Sequence, residues 1–93
     1  MASDNNQEWT QDDCVNFESA REILSGLIGF RVKWIRYERE QIQPKTTDIT
    51  KWEKEKATFI EERRRLNVLE QDNVSRIQRV YSTELKRLME YND

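Results

Sequence analysis

Any catalysis by this chain would have to rest on carboxylates, lysines or the thiol of Cys14, because its 93 residues include no histidine. Without an imidazole the chain alone cannot build a Ser-His or Cys-His nucleophile or a histidine metal site. Carboxylates do stand close in sequence, as at Glu38 and Glu40 and at Glu61 and Glu62. Such pairs on a helix are solvated, and a helical hairpin has no cleft to shift their pKa values. We therefore predict no enzymatic activity and no cofactor.

Cys14 is the only cysteine. A position near a helix start favours a thiolate, but the neighbouring Asp12 and Asp13 oppose it, so we predict an inert thiol. A single cysteine forms no intramolecular disulfide, and the polar first 22 residues do not resemble a signal peptide. No apolar run approaches the roughly 20 residues that cross a bilayer. Together these features predict a cytoplasmic protein.

Basic residues are concentrated in residues 31–65, which contain eleven basic and seven acidic side chains. Several cations on one side can bind phosphates, and interleaved aromatic rings can stack on single-stranded bases. The acidic Glu61 and Glu62 precede the run of three arginines and weaken this patch. A nucleic-acid-binding regulator is therefore the alternative function, with these candidate contacts: Arg31, Lys33, Arg36, Arg39, Arg63, Arg64 and Arg65.

The only two glycines, Gly26 and Gly29, stand three residues apart in the most apolar segment. Each costs a helix interior about 1 kcal/mol relative to alanine. On a helical wheel Gly29 lies nearly opposite the apolar face, with Ser25 close by. Two interpretations stay open: a local bend in the helix, or a second contact surface on which Ser25 and Gly29 lie under another chain.

The elements that position these residues are helices, because two glycines and one proline cannot supply the turns of a many-stranded sheet. We expect an all-α fold with a polar N-terminal arm at residues 1–9 and a single domain at residues 10–93. A first helix follows an N-cap at Thr10 or Asp12 and continues to Gln43, where Pro44 ends it.

A second long helix is expected from Ile49 to about Tyr91, after an N-cap at Thr47 or Asp48. The two helices form an antiparallel hairpin, and folding about Pro44 places Trp34 near Ala57. In an alternative three-helix chain, Asp72 or Asn73 caps a third helix.

The apolar face of the first helix covers about half its circumference, whereas an arc of about 100° is enough to meet one neighbour. The face comprises Ala20, Ile23, Leu24, Leu27, Ile28, Phe30, Trp34, Ile35 and Tyr37. Its width predicts a further partner, either a second copy that completes a four-helix assembly or a different protein. Trp52, Phe59 and Leu66 repeat every seven residues, but polar residues at the alternate heptad positions exclude an uninterrupted leucine-zipper coiled coil.

These patterns predict a protein–protein interaction module: an adaptor, a small regulatory or inhibitory binding protein, or a subunit of a complex, acting as a homodimer or in a hetero-complex. Aromatic side chains contribute most to interface energies. The expected anchors are Leu27, Phe30, Trp34, Tyr37, Trp52 and Phe59, with Ser25 and Gly29 on the second surface.

Overall fold

A computed structural model describes residues 9–91, so most of the expected polar arm lies outside the described residues. Three helices account for nearly all of this part: α1 (Gln11–Arg39), α2 (Thr46–Arg65) and α3 (Gln71–Tyr91). No strand occurs within residues 9–91. The all-α class is confirmed, and the chain has three helices instead of a hairpin of two long ones.

Helix α1 begins with a reciprocal cap between Thr10 and Asp13. The Asp13 backbone N–H donates to Thr10 Oγ1 at 3.1 Å, and the Thr10 N–H donates to Asp13 Oδ2 at 2.9 Å. This exchange satisfies backbone donors that the first helical turn leaves without partners. Of the two N-caps expected from sequence, Thr10 is therefore the one used.

The helix ends at Arg39, four residues before the predicted end at Gln43. The Glu40 N–H donates to both Arg36 O and Tyr37 O, at 3.3 and 3.2 Å, so the last turn tightens towards 3₁₀ geometry. Pro44 also disfavours the helical conformation at the residue before it. A loop at residues 40–45 results.

Helix α2 begins earlier than expected, at Thr46. The N–H groups of Asp48 and Ile49 both donate to Lys45 O at 3.1 Å, which places Lys45 at the N-cap and corrects the prediction of Thr47 or Asp48. The Lys45 N–H donates to Glu38 Oε2 at 2.9 Å. A side chain of α1 therefore supplies the acceptor that the loop requires.

The break between α2 and α3 lies at residues 66–70, slightly before the predicted caps. Asn67 accepts twice, from the Leu69 N–H through Oδ1 at 2.8 Å and from the Glu70 N–H through its carbonyl at 3.0 Å. Asparagine favours such turns because its side chain competes with the helical hydrogen bonds. Asp72 consequently lies in the first turn of α3, not at its N-cap.

The helices form two compact units. Unit 1 contains residues 9–23 and 66–91, and its buried apolar side chains are Ala20, Leu66, Val74 and Ile77. Unit 2 is Leu24–Arg65, and its buried apolar side chains are Leu24, Leu27, Ile28, Ile35 and Phe59. Helix α1 continues through Gly26 and Gly29 without a break.

Candidate functional site

The most distinctive surface of unit 2 is a row of aromatic side chains, here called the aromatic stripe: Phe30, Trp34 and Tyr37 of α1 with Trp52 of α2. The α1 members share one helix face because they follow i, i+4 and i+7 spacing. Ring centroids are 6.0 Å apart for Phe30 and Trp34, and 5.6 Å apart for Trp34 and Trp52. None of the four side chains is buried, and Tyr37 is 67% exposed.

Arg31 is a buried residue of unit 2 that contacts the aromatic stripe through the Trp34 ring. This residue is only 6% exposed, and its Nε donates to Glu55 Oε1 at 3.0 Å. Its guanidinium carbon lies 4.8 Å from the ring centroid of Trp34 and 5.1 Å from that of Phe59. These distances allow cation–π attraction to both rings. The Trp34 ring is thus fixed by contacts with Arg31, Phe30 and Trp52.

The antiparallel pairing of α1 with α2 is present, but its register differs from the prediction. Trp34 contacts Trp52, which precedes the predicted Ala57 in α2, and Arg31 Nε donates to Glu55 Oε1 at 3.0 Å. The reason is the early end of α1, which moves the centre of the loop away from Pro44 towards Ile42.

The expected anchors divide into two groups. Leu27 and Phe59 belong to the core of unit 2, where they support the surface without being part of it. Phe30, Trp34 and Trp52 are half-buried. Sequence reasoning missed Ile42, which is 99% exposed because the loop replaces the last predicted helical turn.

The second predicted surface, Ser25 with Gly29, faces outwards only in part. Ser25 Oγ accepts a hydrogen bond of 3.0 Å from Arg63 NH1, so α2 already contacts it. Gly29 is exposed, and a Cβ atom added there would meet no other group within 4 Å. Gly29 therefore has open space beside it, and its coverage by another chain stays a prediction.

The basic residues that were considered for nucleic acid do not form one accessible patch. Arg31 is buried against Glu55 and the aromatic rings, and Arg63 is bonded to Ser25. The Nε atoms of Arg64 and Arg65 donate to Glu61, at 3.0 and 2.6 Å. Hydrogen bonds from Arg64, and then from Arg65, lower the pKa of Glu61 to about 2.

The remaining cations lie near the end of α1. Arg39 and Lys56 both pair with Glu53, at 2.8 and 3.0 Å, and the hydrogen bond from Lys56 is the main reason that the Glu53 pKa is lowered. Lys33 and Arg36 are exposed and make no ion pair with another residue in the described part of the chain. Within residues 9–91, Arg63 is half-buried with a neutral hydrogen-bond partner, so Lys33 and Arg36 are the two of the seven predicted phosphate contacts that are exposed without a hydrogen-bond or ion-pair partner.

The acidic side chains and the cysteine that the sequence singled out lie apart within residues 9–91. Glu38 caps the loop through Lys45, Glu61 is paired with arginines, and Cys14 is half-buried. No group of three or more acidic or cysteine side chains could hold a metal ion in this part of the chain. Within residues 9–91, no helix is long and apolar enough to cross a bilayer.

Comparison of the chain with protein-family models, with curated proteins and with solved structures found no match in any of the three.

Proposed function

We propose that this chain is a non-enzymatic protein–protein interaction module whose aromatic stripe contacts a partner protein. One observation carries the proposal: three aromatic rings in a row, none of them buried, continue into the 67% exposed Tyr37. Aromatic residues are enriched among the side chains that dominate binding energies, and burying them releases ordered water from a large apolar area.

The fixed position of Trp34 adds to this argument. Its ring contacts Phe30, Trp52 and the guanidinium of Arg31, so little side-chain freedom remains to be lost on binding. Immobilising a flexible side chain costs about 0.5–1.5 kcal/mol, and a surface that is already ordered avoids this cost. A rigid, partly exposed tryptophan is therefore well suited to anchor an interface.

The proposed roles are those of an adaptor, a small regulatory or inhibitory binding protein, or a complex subunit in the cytoplasm. Either a homodimer or a hetero-complex would cover the stripe; the four-helix assembly expected from the sequence does not apply, because each copy has three helices. Light scattering on a sizing column over a concentration series separates these two arrangements. Unit 2 buries only a few apolar side chains, and small domains bury a low fraction of their surface. Contact with a further protein would therefore increase the apolar area that is buried.

The test uses Tyr37→Ser, with Tyr91→Ser as a matched control, because Tyr91 is also a tyrosine near a helix end and is 82% exposed. The full chain and both variants are immobilised, and partners from a lysate of the source cells are quantified. The proposal expects a protein that binds the full chain and Tyr91→Ser but is reduced at least about tenfold on Tyr37→Ser, as expected for a side chain that anchors an interface. Equal capture by both variants would overturn it.

The nucleic-acid alternative has less support, because Arg31, Arg64 and Arg65 are engaged by acids. It predicts binding to single-stranded oligonucleotides that weakens steeply with salt and disappears when Arg63, Arg64 and Arg65 are all replaced by glutamate. Binding that survives this replacement would exclude the run of arginines as the site.

A further inference from the structure

Unit 2 carries a shallow groove between α1 and α2 that shares no residue with the aromatic stripe. Its volume is about 340 Å³, and the residues that line it are Val32, Ile35, Arg36, Arg39, Glu40 and Lys56. All of them belong to unit 2, and half of them are cations. We call this surface the basic groove.

The side of α2 that lines the basic groove continues towards the end of that helix. Ile60 and Arg63 follow Lys56 at i+4 and i+7, so the three side chains lie along one side of α2. Arg63 NH1 donates to Ser25 Oγ of α1 at 3.0 Å and joins the two helices there, whereas Arg39 lines the groove at its other end. From Ser25 to Arg39 helix α1 rises about 21 Å, which is about four helical turns. The seam between the helices is therefore long enough for another helix to lie along it.

Apolar side chains form part of this surface. Ile35 is buried beneath it, Val32 is 48% exposed and Ile60 is 39% exposed. Gly29 precedes Val32 on α1 and is exposed, and a Cβ added there would meet nothing within 4 Å. A helix laid along the groove would remove Val32 and Ile60 from water.

The basic groove also carries more positive than negative charge. Arg39 and Lys56 share one carboxylate, that of Glu53, at 2.8 and 3.0 Å. Arg36 is exposed and makes no ion pair within residues 9–91. Even when Glu40 is counted against these cations, a positive charge remains. A partner that supplies carboxylates is therefore electrostatically complementary to the groove.

We propose that the basic groove binds an acidic amphipathic helix of a partner protein. The apolar side of that helix lies on Val32 and Ile60, and its carboxylates pair with Arg36 and with Lys33, which stands three positions earlier on α1. Unit 2 then has three packed helices in place of two. A nucleic acid is less complementary, because its phosphates would leave the apolar side chains exposed and would be repelled by Glu40.

The test uses a fluorescein-labelled peptide of about 20 residues, long enough to form a helix, with leucine along one side and glutamate along the other. Fluorescence anisotropy measures its binding to the full chain. Arg36→Glu should weaken binding at least about tenfold, because like charges across an interface are strongly unfavourable. Val32→Asp should weaken it as well, since it places a carboxylate against the apolar side of the peptide.

Lys54→Glu is the matched control within the same unit. Lys54 is exposed and stands two positions before Lys56, so it lies on a different side of α2, and the change in net charge equals that of Arg36→Glu. Since salt screens charges that are far apart, this control should change the affinity by no more than about twofold at moderate salt. Circular dichroism checks that each variant keeps its helical content.

Two further peptides separate helix binding from general attraction of anions. With serine in place of leucine the charge is kept but the apolar side is lost, and binding should weaken at least about tenfold. With lysine in place of glutamate, the peptide should bind Arg36→Glu more tightly than it binds the unaltered chain.

The proposed helix site does not depend on the aromatic stripe, so Tyr37→Ser should bind the acidic peptide as the unaltered chain does. A loss in Tyr37→Ser equal to that in Arg36→Glu would place the peptide on the stripe and overturn the proposal. So would failure of the acidic peptide to bind the unaltered chain, equal losses in Lys54→Glu and Arg36→Glu, or equal binding of the serine peptide.

Discussion

Arg31 and Glu55 lie 24 positions apart in sequence and are joined by a 3.0 Å hydrogen bond between Arg31 Nε and Glu55 Oε1. The arginine is almost completely buried, whereas about a third of the Glu55 side chain is exposed. This ion pair joins α1 to α2, and the same guanidinium contacts the Trp34 ring.

We expect Glu55→Ala to lower the free energy of unfolding by about 1–3 kcal/mol. The value lies between those of fully exposed and fully buried pairs, because the change removes a hydrogen-bonded carboxylate from a buried guanidinium while about a third of that carboxylate's side chain is exposed to water. Urea unfolding followed by circular dichroism measures this change in the free energy of unfolding. Glu90→Ala, at an exposed position of α3, is the control, and an equal effect of the two changes would contradict the structural role of the pair.

The contribution of the two hydrogen bonds between Thr10 and Asp13 to stability can also be measured by urea unfolding. Thr10→Ala removes the acceptor for the Asp13 N–H and should destabilise the chain by about 1 kcal/mol. Thr83→Ala, at an exposed interior position of α3, should not destabilise it, since alanine is the better helix former. Unfolding midpoints that fall equally in both variants would argue against the cap.

Gly29→Ala should raise the free energy of unfolding by up to about 1 kcal/mol, because alanine favours the helix and its Cβ meets no neighbour within 4 Å. Urea unfolding followed by circular dichroism measures this difference from the unaltered chain. A loss of stability would show that α1 needs the glycine as a joint.

The lowered pKa of Glu61 predicts how the stability of α2 depends on pH. Hydrogen bonds from Arg64 and Arg65 lower it from 4.5 to about 2, so their stabilisation of α2 is present above pH 4.5 and is lost as the pH falls towards 2. NMR titration of the Glu61 carboxyl measures this pKa directly. Arg64→Ala should raise it more than Arg65→Ala does, and an unchanged pKa in both variants would contradict the pairing.

Glu61 should also control how strongly the neighbouring arginines bind polyanions. Glu61→Gln removes the charge that Arg64 and Arg65 share, so we expect tighter binding of a single-stranded oligonucleotide and a steeper loss of binding with salt. Fluorescence anisotropy at several salt concentrations measures both. Glu90→Gln is the control for the change in net charge, and equal affinities for the two variants would exclude this role.

The all-α class was predictable because composition and periodicity depend on local residues, but the division of the second predicted helix into α2 and α3 appeared only as the alternative. Thr10 as N-cap and the apolar stripe of α1 follow from such patterns. The end of α1 at Arg39 was not predictable, since it depends on contacts between the loop and α1, among them the hydrogen bond from the Lys45 N–H to Glu38. The earlier end of α1 changed the register of α1 against α2, and therefore changed which residue of α2 contacts Trp34.

The candidate site was predictable in part. The spacing of Phe30, Trp34 and Tyr37 identified the surface, but the separation of core from surface did not follow from it, because burial depends on the register with α2. Arg31 is the clearest example. Its sequence neighbours indicated a phosphate contact, whereas Glu55, which lies far away in sequence, places it inside the unit.

The division of the chain into units bears on the order in which contacts form during folding. Unit 2 is one uninterrupted segment, Leu24–Arg65, so its contacts close short loops. Unit 1 joins residues from both sides of that segment, so its contacts close a loop that contains all of unit 2. Since contacts between residues close in sequence form faster, the aromatic stripe is expected to form before the first turns of α1 pack within unit 1.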